Sequence, residues 1–229
     1  MAKQSCSLVI IGDGSVGKST IINSFKTEGF QPIYKQTIGC DFYERQLKVR
    51  SDVISLRVWD IGGQSFNSKN LSSYVGHADS VMLVYDVTNR ESFDNLNDWL
   101  QKTKEFNKTK FIYLIGNKVD LLSVRQVSPM QHEEFIIQNS LRGGNFCSAK
   151  TGENVVKMFY RISGEISGVN LTEYELAFYD KVLTAHITKD TSDGDDEARN
   201  EWAEAIERED LELERKKQSK IETKACYIS

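Results

Sequence analysis

The sequence predicts an α/β domain built on a six-stranded, mostly parallel sheet with helices on both faces. Three observations carry that prediction. Short apolar runs alternate with helix-like segments from the first residues to about position 165, the order that right-handed strand–helix–strand crossovers produce. Four of the runs are continuously apolar rather than alternating, as expected of strands covered on both faces. A glycine-rich loop also follows the first run and opens the first helical segment, where loops of open α/β sheets hold their ligands.

In chain order, "SLVIIGD" (7–13) reads as the first strand and Gly17–Lys26 as the first helix. "IGCDFYERQLKV" (38–49) alternates apolar and polar residues, which predicts an antiparallel edge strand paired with "VISLRVWD" (53–60). "SVMLVYDV" (80–87), "FIYLIGN" (111–117) and "NFCSA" (145–149) complete the sheet. Helices are predicted over Ser92–Glu105, Pro129–Asn139 and Gly152–Ser167. The main domain therefore spans 1–170, with one more amphipathic helix expected within 171–190. Residues 191–229 read as a flexible tail, acidic and then basic: from Asp193 to Arg215 there are eleven acidic residues against three basic ones, too polar to bury a core. The Asp-Gly-Asp-Asp cluster is not a calcium loop. With Gly194 at the sixth position, the first and twelfth fall on Lys189 and Asn200, and neither is a carboxylate.

A length of 229 residues suits one ordinary domain with an extension. The net charge of −4 argues neither for nor against nucleic acid, no basic stripe marks the first half, and no nucleic-acid partner is expected. Cys6, Cys40, Cys147 and Cys226 are spread without CxxC spacing, which predicts free thiols in a reducing cytoplasm. His77, His132 and His186 are isolated from one another and read as structural. The start lacks a signal-peptide run, and Ala2 cannot be myristoylated. No stretch reaches the ~18 apolar residues that span a bilayer.

Gly12-Asp13-Gly14-Ser15-Val16-Gly17-Lys18-Ser19 satisfies GxxxxGK[ST] between a strand and a helix. Its glycines let backbone N–H groups turn inward around phosphate oxygens, and the helix start adds the positive end of its dipole. Lys18 is placed to reach the β- and γ-phosphates and the Ser19 hydroxyl to ligate Mg²⁺. Gly14, Ser15, Val16, Gly17 and Thr20 complete the phosphate-binding set. That motif specifies a nucleoside triphosphate without naming the base. "NKVD", Asn117-Lys118-Val119-Asp120, supplies the base. A carboxylate at 120 can accept both N1–H and the N2 amine of guanine, and adenine would leave it unpaired at a cost of about 1–3 kcal/mol. Ser148-Ala149-Lys150 can offer a backbone N–H to guanine O6. In "WDIGGQ", Asp60 ends a strand beside the Mg²⁺ position, Gly63 frees an N–H for the γ-phosphate, and Gln64 stands where it can orient an attacking water.

GDGSVGKS, a threonine at 37, WDIGGQ, NKVD and SAK, in this order and spacing, resemble the Ras-superfamily small GTPases over residues 6–168. "TIGCDF" (37–42) and "YDVTN" (85–89) are similar to the Rab family in particular. Most Rabs carry alanine at the position of Gly62, and "SFNSKNLSSYVGHADS" (65–80) departs from the usual Rab segment. These features resemble the divergent Rab subgroup numbered twenty-eight. The resemblance implies that Thr37 completes the Mg²⁺ shell and senses the γ-phosphate, that Phe30 packs on the guanine, and that Tyr34 closes over the phosphates. It also implies a P-loop G domain, a monomer, with GTP/GDP and Mg²⁺ as ligands. An exchange factor, a GTPase-activating protein and effectors would bind its switch segments, although the altered 65–80 stretch puts standard Rab partners in doubt.

The expected function is a GTP/GDP switch that hydrolyses GTP and serves membrane traffic on the cytoplasmic face of membranes, with endosomal or ciliary sites suggested by the subgroup. A different class of reading is a GTP-locked binding module with little hydrolysis, against which the intact Gly14 and Gln64 weigh. An ATP-dependent kinase is disfavoured by NKVD. The terminal "CYIS" has the form of a prenylation signal at Cys226, with Ser229 favouring farnesyl over geranylgeranyl. One lipid chain anchors only marginally, so Arg215, Lys216, Lys217, Lys220 and Lys224 are read as the second signal.

Overall fold

The computed structural model describes residues 5–26, 37, 39–67 and 71–187. The expectations for Phe30, Tyr34, the 191–229 tail and Cys226 lie outside these residues. Six strands form one sheet in the order β2-β3-β1-β4-β5-β6. They are β1 (Ser5–Ile11), β2 (Cys40–Val49), β3 (Asp52–Ile61), β4 (Ser80–Asp86), β5 (Ile112–Asn117) and β6 (Gly143–Phe146). β1, β3, β4, β5 and β6 run parallel, and β2 lies antiparallel on β3. The fold class is the one the sequence predicts.

Successive strand side chains point to opposite faces, so the continuous apolar runs feed two cores. Leu8 and Ile10 of β1 face one core, with Ile21 and Phe25 of α1 (Lys18–Phe25) and Phe159 and Ile162 of α6 (Val155–Ser167). Val9 and Ile11 face the other. There they meet Leu71 of α2 (Leu71–Gly76), Leu96 and Trp99 of α4 (Leu96–Phe106), and Phe135 of α5 (Pro129–Asn139). The cores hold the central strands rigid, while the loops at their carboxyl ends carry the polar chemistry. α5 starts where local chemistry dictates. Ser128 and Gln131 form a reciprocal capping box ahead of Pro129, satisfying amides that a helix start leaves open.

Three local expectations are corrected. The helix expected over 92–105 begins earlier and is divided into α3 (Arg90–Asp94) and α4 at Asn95. Asn89 caps the earlier start by accepting from the Ser92 amide. The 61–80 stretch, for which no helix is expected, holds a 3₁₀ turn over Gly63–Asn67 and then α2. Its two buried anchors, Leu71 and Val75, are too few to make a periodic pattern legible. The last strand ends at Phe146 rather than extending to 149, because Ser148 and Ala149 turn away to bond Asp120 and Asn117.

Beyond α6 lies α7 (Glu173–Ile187). Tyr179 stacks on Tyr160 of α6, with ring centroids 4.3 Å apart, and Leu176 is fully buried. Arg50, at the β2–β3 turn with φ +53°, forms a two-point ion pair with Glu175 at 2.6 and 3.1 Å.

Candidate functional site

The loop from Gly12 to Gly17 leaves β1 at the centre of the sheet and enters α1. Gly17 precedes the helix with φ +96°, in the left-handed region. A methyl group there would also stand 2.3 Å from Asn117 Nδ2, so both backbone angle and space require glycine. Asn117 Nδ2 donates to the Val16 carbonyl at 2.8 Å, tying the loop to the end of β5. Lys18 reaches back across the loop, with Nζ donating to the Gly12 and Asp13 carbonyls at 2.8 and 2.6 Å. Burial lowers its pKa to about 8, against the raising influence of Asp60 and Asp13. No atom of the described residues comes within 4 Å of a methyl group placed on Gly14, its chain neighbours aside. Ser15 is exposed with φ +62°, Val16 is buried, and Thr20 is half-buried in α1.

Ser19, Thr37 and Asp60 converge from α1, the segment before β2, and the end of β3. Ser19 Oγ lies 2.5 Å from Asp60 Oδ2 and 2.8 Å from Thr37 Oγ1, and Thr37 Oγ1 lies 3.5 Å from Asp60 Oδ2. Asp60 Oδ1 is buried without a hydrogen-bond partner among the described residues. Burial raises the Asp60 pKa, while Ser19, Lys18 and Thr37 oppose the rise. Two hydroxyls and a carboxylate with an orphaned oxygen form a hard, all-oxygen donor set, which fits Mg²⁺.

Gly62 and Gly63 form the joint between three segments. A methyl group on Gly62 would stand 2.3 Å from the Thr37 carbonyl oxygen, and one on Gly63 would stand 2.3 Å from the Gly14 nitrogen. The Gly62 amide donates to the Gly39 carbonyl at 2.9 Å. Gln64 follows, exposed, on the 3₁₀ turn.

The base-recognition candidates sit at the ends of β5 and β6. Asp120 Oδ1 accepts from Ser148 Oγ at 2.6 Å, and the Lys150 ammonium is 4.0 Å from Asp120 Oδ2. Lys118, with φ +68°, pairs with Asp86 at 2.6 Å. Asp86 is steadied by the Thr88 amide and hydroxyl at 2.8 and 2.7 Å. The Ala149 amide, expected to serve guanine O6, donates to Asn117 Oδ1 at 3.0 Å. The motifs quoted from the sequence thus follow the carboxyl ends of the parallel strands β1, β3, β5 and β6.

The Ras family model matches residues 7–168, which include all of these groups. The chain belongs to the Ras family. It is 38% identical over 174 residues to Ras-related protein Rab-28 of Caenorhabditis elegans, covering 74% of this chain and 70% of that protein. It is therefore a Rab-like small GTPase, a GTP hydrolase of the Ras family, whose members bind GTP or GDP with Mg²⁺ and act as switches.

Several polar and aromatic groups around this Ras-family site escape sequence reasoning. Asp13, at a variable position of the glycine-rich motif, accepts from Asn95 Nδ2 and Trp99 Nε1, each at 2.8 Å. An unpaired acid inside a phosphate loop was the signal for it. Phe42, Trp59 and Tyr74 form an aromatic row, with centroids 4.6 and 5.5 Å apart along it. Phe42 is 48% exposed, so the row opens to solvent beside the Thr37 and Gly63 segments. No local pattern announces it, because its rings come from β2, β3 and α2.

Proposed function

We propose that this chain cycles between GTP and GDP forms, hydrolyses GTP with Gln64 orienting the attacking water, and serves vesicle traffic at the cytoplasmic face of membranes. The observation that carries this reading is the convergence of Ser19, Thr37 and Asp60. Thr37, from the segment ahead of β2, shares one oxygen cluster with the start of α1 and the strand that leads to Gln64.

In this reading Lys18 and the loop amides hold the phosphates, and Ser19, Thr37 and Asp60 hold Mg²⁺. Bound Mg²⁺ would neutralise charge that develops on the β- and γ-phosphate oxygens. The Gly63 amide reaches the γ-phosphate, while Asp120, aligned by Ser148, accepts from guanine. Asn117 joins the phosphate loop to the base loops. Loss of the γ-phosphate removes what the Thr37 and Gly63 segments share, which is how family switches release their partners. Exchange factors, activating proteins and effectors bind those segments, and the Phe42–Trp59–Tyr74 row offers effectors an apolar contact. Cys226, prenylated, and the basic residues from Arg215 to Lys224 attach the chain to an anionic membrane.

The test is single-turnover hydrolysis with stoichiometric GTP. Wild-type rates of about 10⁻⁴ to 10⁻³ s⁻¹ are expected without an activating protein. Gln64→Leu should slow hydrolysis at least about tenfold with GTP affinity within about twofold of wild type. A wild type that binds GTP yet never turns it over would instead make the chain a GTP-locked binding module. For the membrane part, Cys226→Ser should move the chain to the soluble fraction, and an unchanged membrane fraction would remove it.

A further inference from the structure

Asn95, the N-cap of α4, and Trp99 and Lys102 within α4 are polar groups spaced four and three residues apart and so on one helical face. The first two bind the Asp13 carboxylate of the phosphate loop, at 2.8 Å each. Trp99 is only 2% exposed, and a buried indole N–H needs such an acceptor. The same Trp99 ring meets Phe66 edge to face, with centroids 4.8 Å apart at 74°. Lys102 holds Phe66 twice: its ammonium lies 3.6 Å over the ring and donates to the Phe66 carbonyl at 2.6 Å. Phe66 stands two residues after Gln64 on the same 3₁₀ turn. The turn's other end, Gly63, lies against Asp13 and Gly14, where a methyl group would stand 2.5 Å from the Asp13 carbonyl carbon. A closed circuit therefore runs from Gly63 to Asp13, to Trp99, to Phe66 and back through Gln64.

We infer that Lys102 and Trp99 are positioning residues for hydrolysis: acting through Phe66, they hold the Gln64 turn in register with the phosphate loop. The inference rests on the reading that Gln64 orients the attacking water. Gln64 is exposed, so its placement derives from the two ends of its turn. Both ends lead to Asp13. A misplacement of about 1 Å at a reacting group costs about a hundredfold in rate, and loosening one end should cost a fraction of that. The contacts bear on a turn rather than on the phosphates or the base, so nucleotide affinity should be spared.

The experiment measures single-turnover GTP hydrolysis and GTP and GDP affinity in the full chain for Lys102→Met, Lys102→Arg and Phe66→Leu. Lys102→Met and Phe66→Leu are also placed in a Gln64→Leu background. The expected result is hydrolysis slowed about tenfold by Lys102→Met and by Phe66→Leu, with affinities within about twofold of wild type and partial rescue by Lys102→Arg. Neither should slow the Gln64→Leu variant further, because the route through Gln64 is already cut. Hydrolysis by Lys102→Met and Phe66→Leu at the wild-type rate while Gln64→Leu is slow would overturn this inference alone. So would slowing that adds to that of Gln64→Leu. A Gln64→Leu variant as fast as wild type would overturn the underlying reading of Gln64, and this inference with it.

Discussion

The backbone of Gly62 lies directly against that of Thr37, so close that a methyl group on Gly62 would stand 2.3 Å from the Thr37 carbonyl oxygen. Thr37 is held from its other side by Ser19 and Asp60. Alanine, which the resemblance makes the usual Rab residue here, would require the Thr37 segment to take another path. Gly62→Ala should therefore separate the two segments, at an overpacking cost of about 1–3 kcal/mol. In the proposed reading the GTP form relies on Thr37, so the cost should fall mainly on that form. The expected outcome is a lower ratio of GTP to GDP affinity, measured by competition with a fluorescent nucleotide. Equal losses for both nucleotides would show that the contact does not distinguish the two forms.

Asp120→Asn exchanges an acceptor for a donor on one arm of the group that Ser148 aligns at 2.6 Å. Guanine should lose at least about 1–3 kcal/mol of binding through the mismatched pair. Xanthine presents an acceptor where guanine carries its N2 amine, so it should gain. Competition between GDP and xanthosine diphosphate reads this directly, and wild-type GDP affinity without a xanthine preference would remove Asp120 from the base site.

Ser19→Asn removes a hydroxyl from the Ser19–Thr37–Asp60 cluster and inserts a larger amide. Asp60 then loses its shortest hydrogen bond. The variant should bind GTP with weaker dependence on Mg²⁺ and shift toward GDP or the nucleotide-free form, because the γ-phosphate form leans most on the metal. A Mg²⁺ titration of GTP affinity that superimposes on wild type would argue against the cluster as a metal site.

Arg50 and Glu175 give a pH-dependent contribution to stability. Burial raises the Glu175 carboxyl pKa, but hydrogen bonds from Arg50 and Thr172 and the charge of Arg50 outweigh it, bringing it from 4.5 to about 2. A depressed carboxyl stabilises the fold above the unfolded value and loses that contribution as pH falls from about 4.5 toward 2. Glu175→Gln should thus lower the unfolding free energy from urea titration at pH 6, by up to about 1 kcal/mol for a partly exposed pair. The difference should shrink as the pH is brought down toward 3. A gap that stays constant or widens on acidification would contradict the pairing.

What the sequence determined by itself is whatever rests on neighbours along the chain. Leu8 to Ile11 are apolar at every position, so β1 had to lie between two cores. Gly12 to Ser19 carry their chemistry in consecutive backbone amides, and Ser128-Pro129 starts α5 with a local cap. Asn117 to Asp120 and Ser148 to Lys150 are legible for the same reason, since each is a short run at a strand end. Only the tertiary structure decided the contacts between runs. Asp13 meets Asn95 and Trp99 across more than eighty residues, and Phe66 meets Lys102 across thirty-six. Gly62 is crowded by a residue from another segment. The split of one predicted helix at Asn95, the α2 turn held by Leu71 and Val75, and the early end of β6 belong with these. In each, a local preference too weak to decide the backbone yields to hydrogen bonds and burial that exist only once the sheet has brought distant segments together.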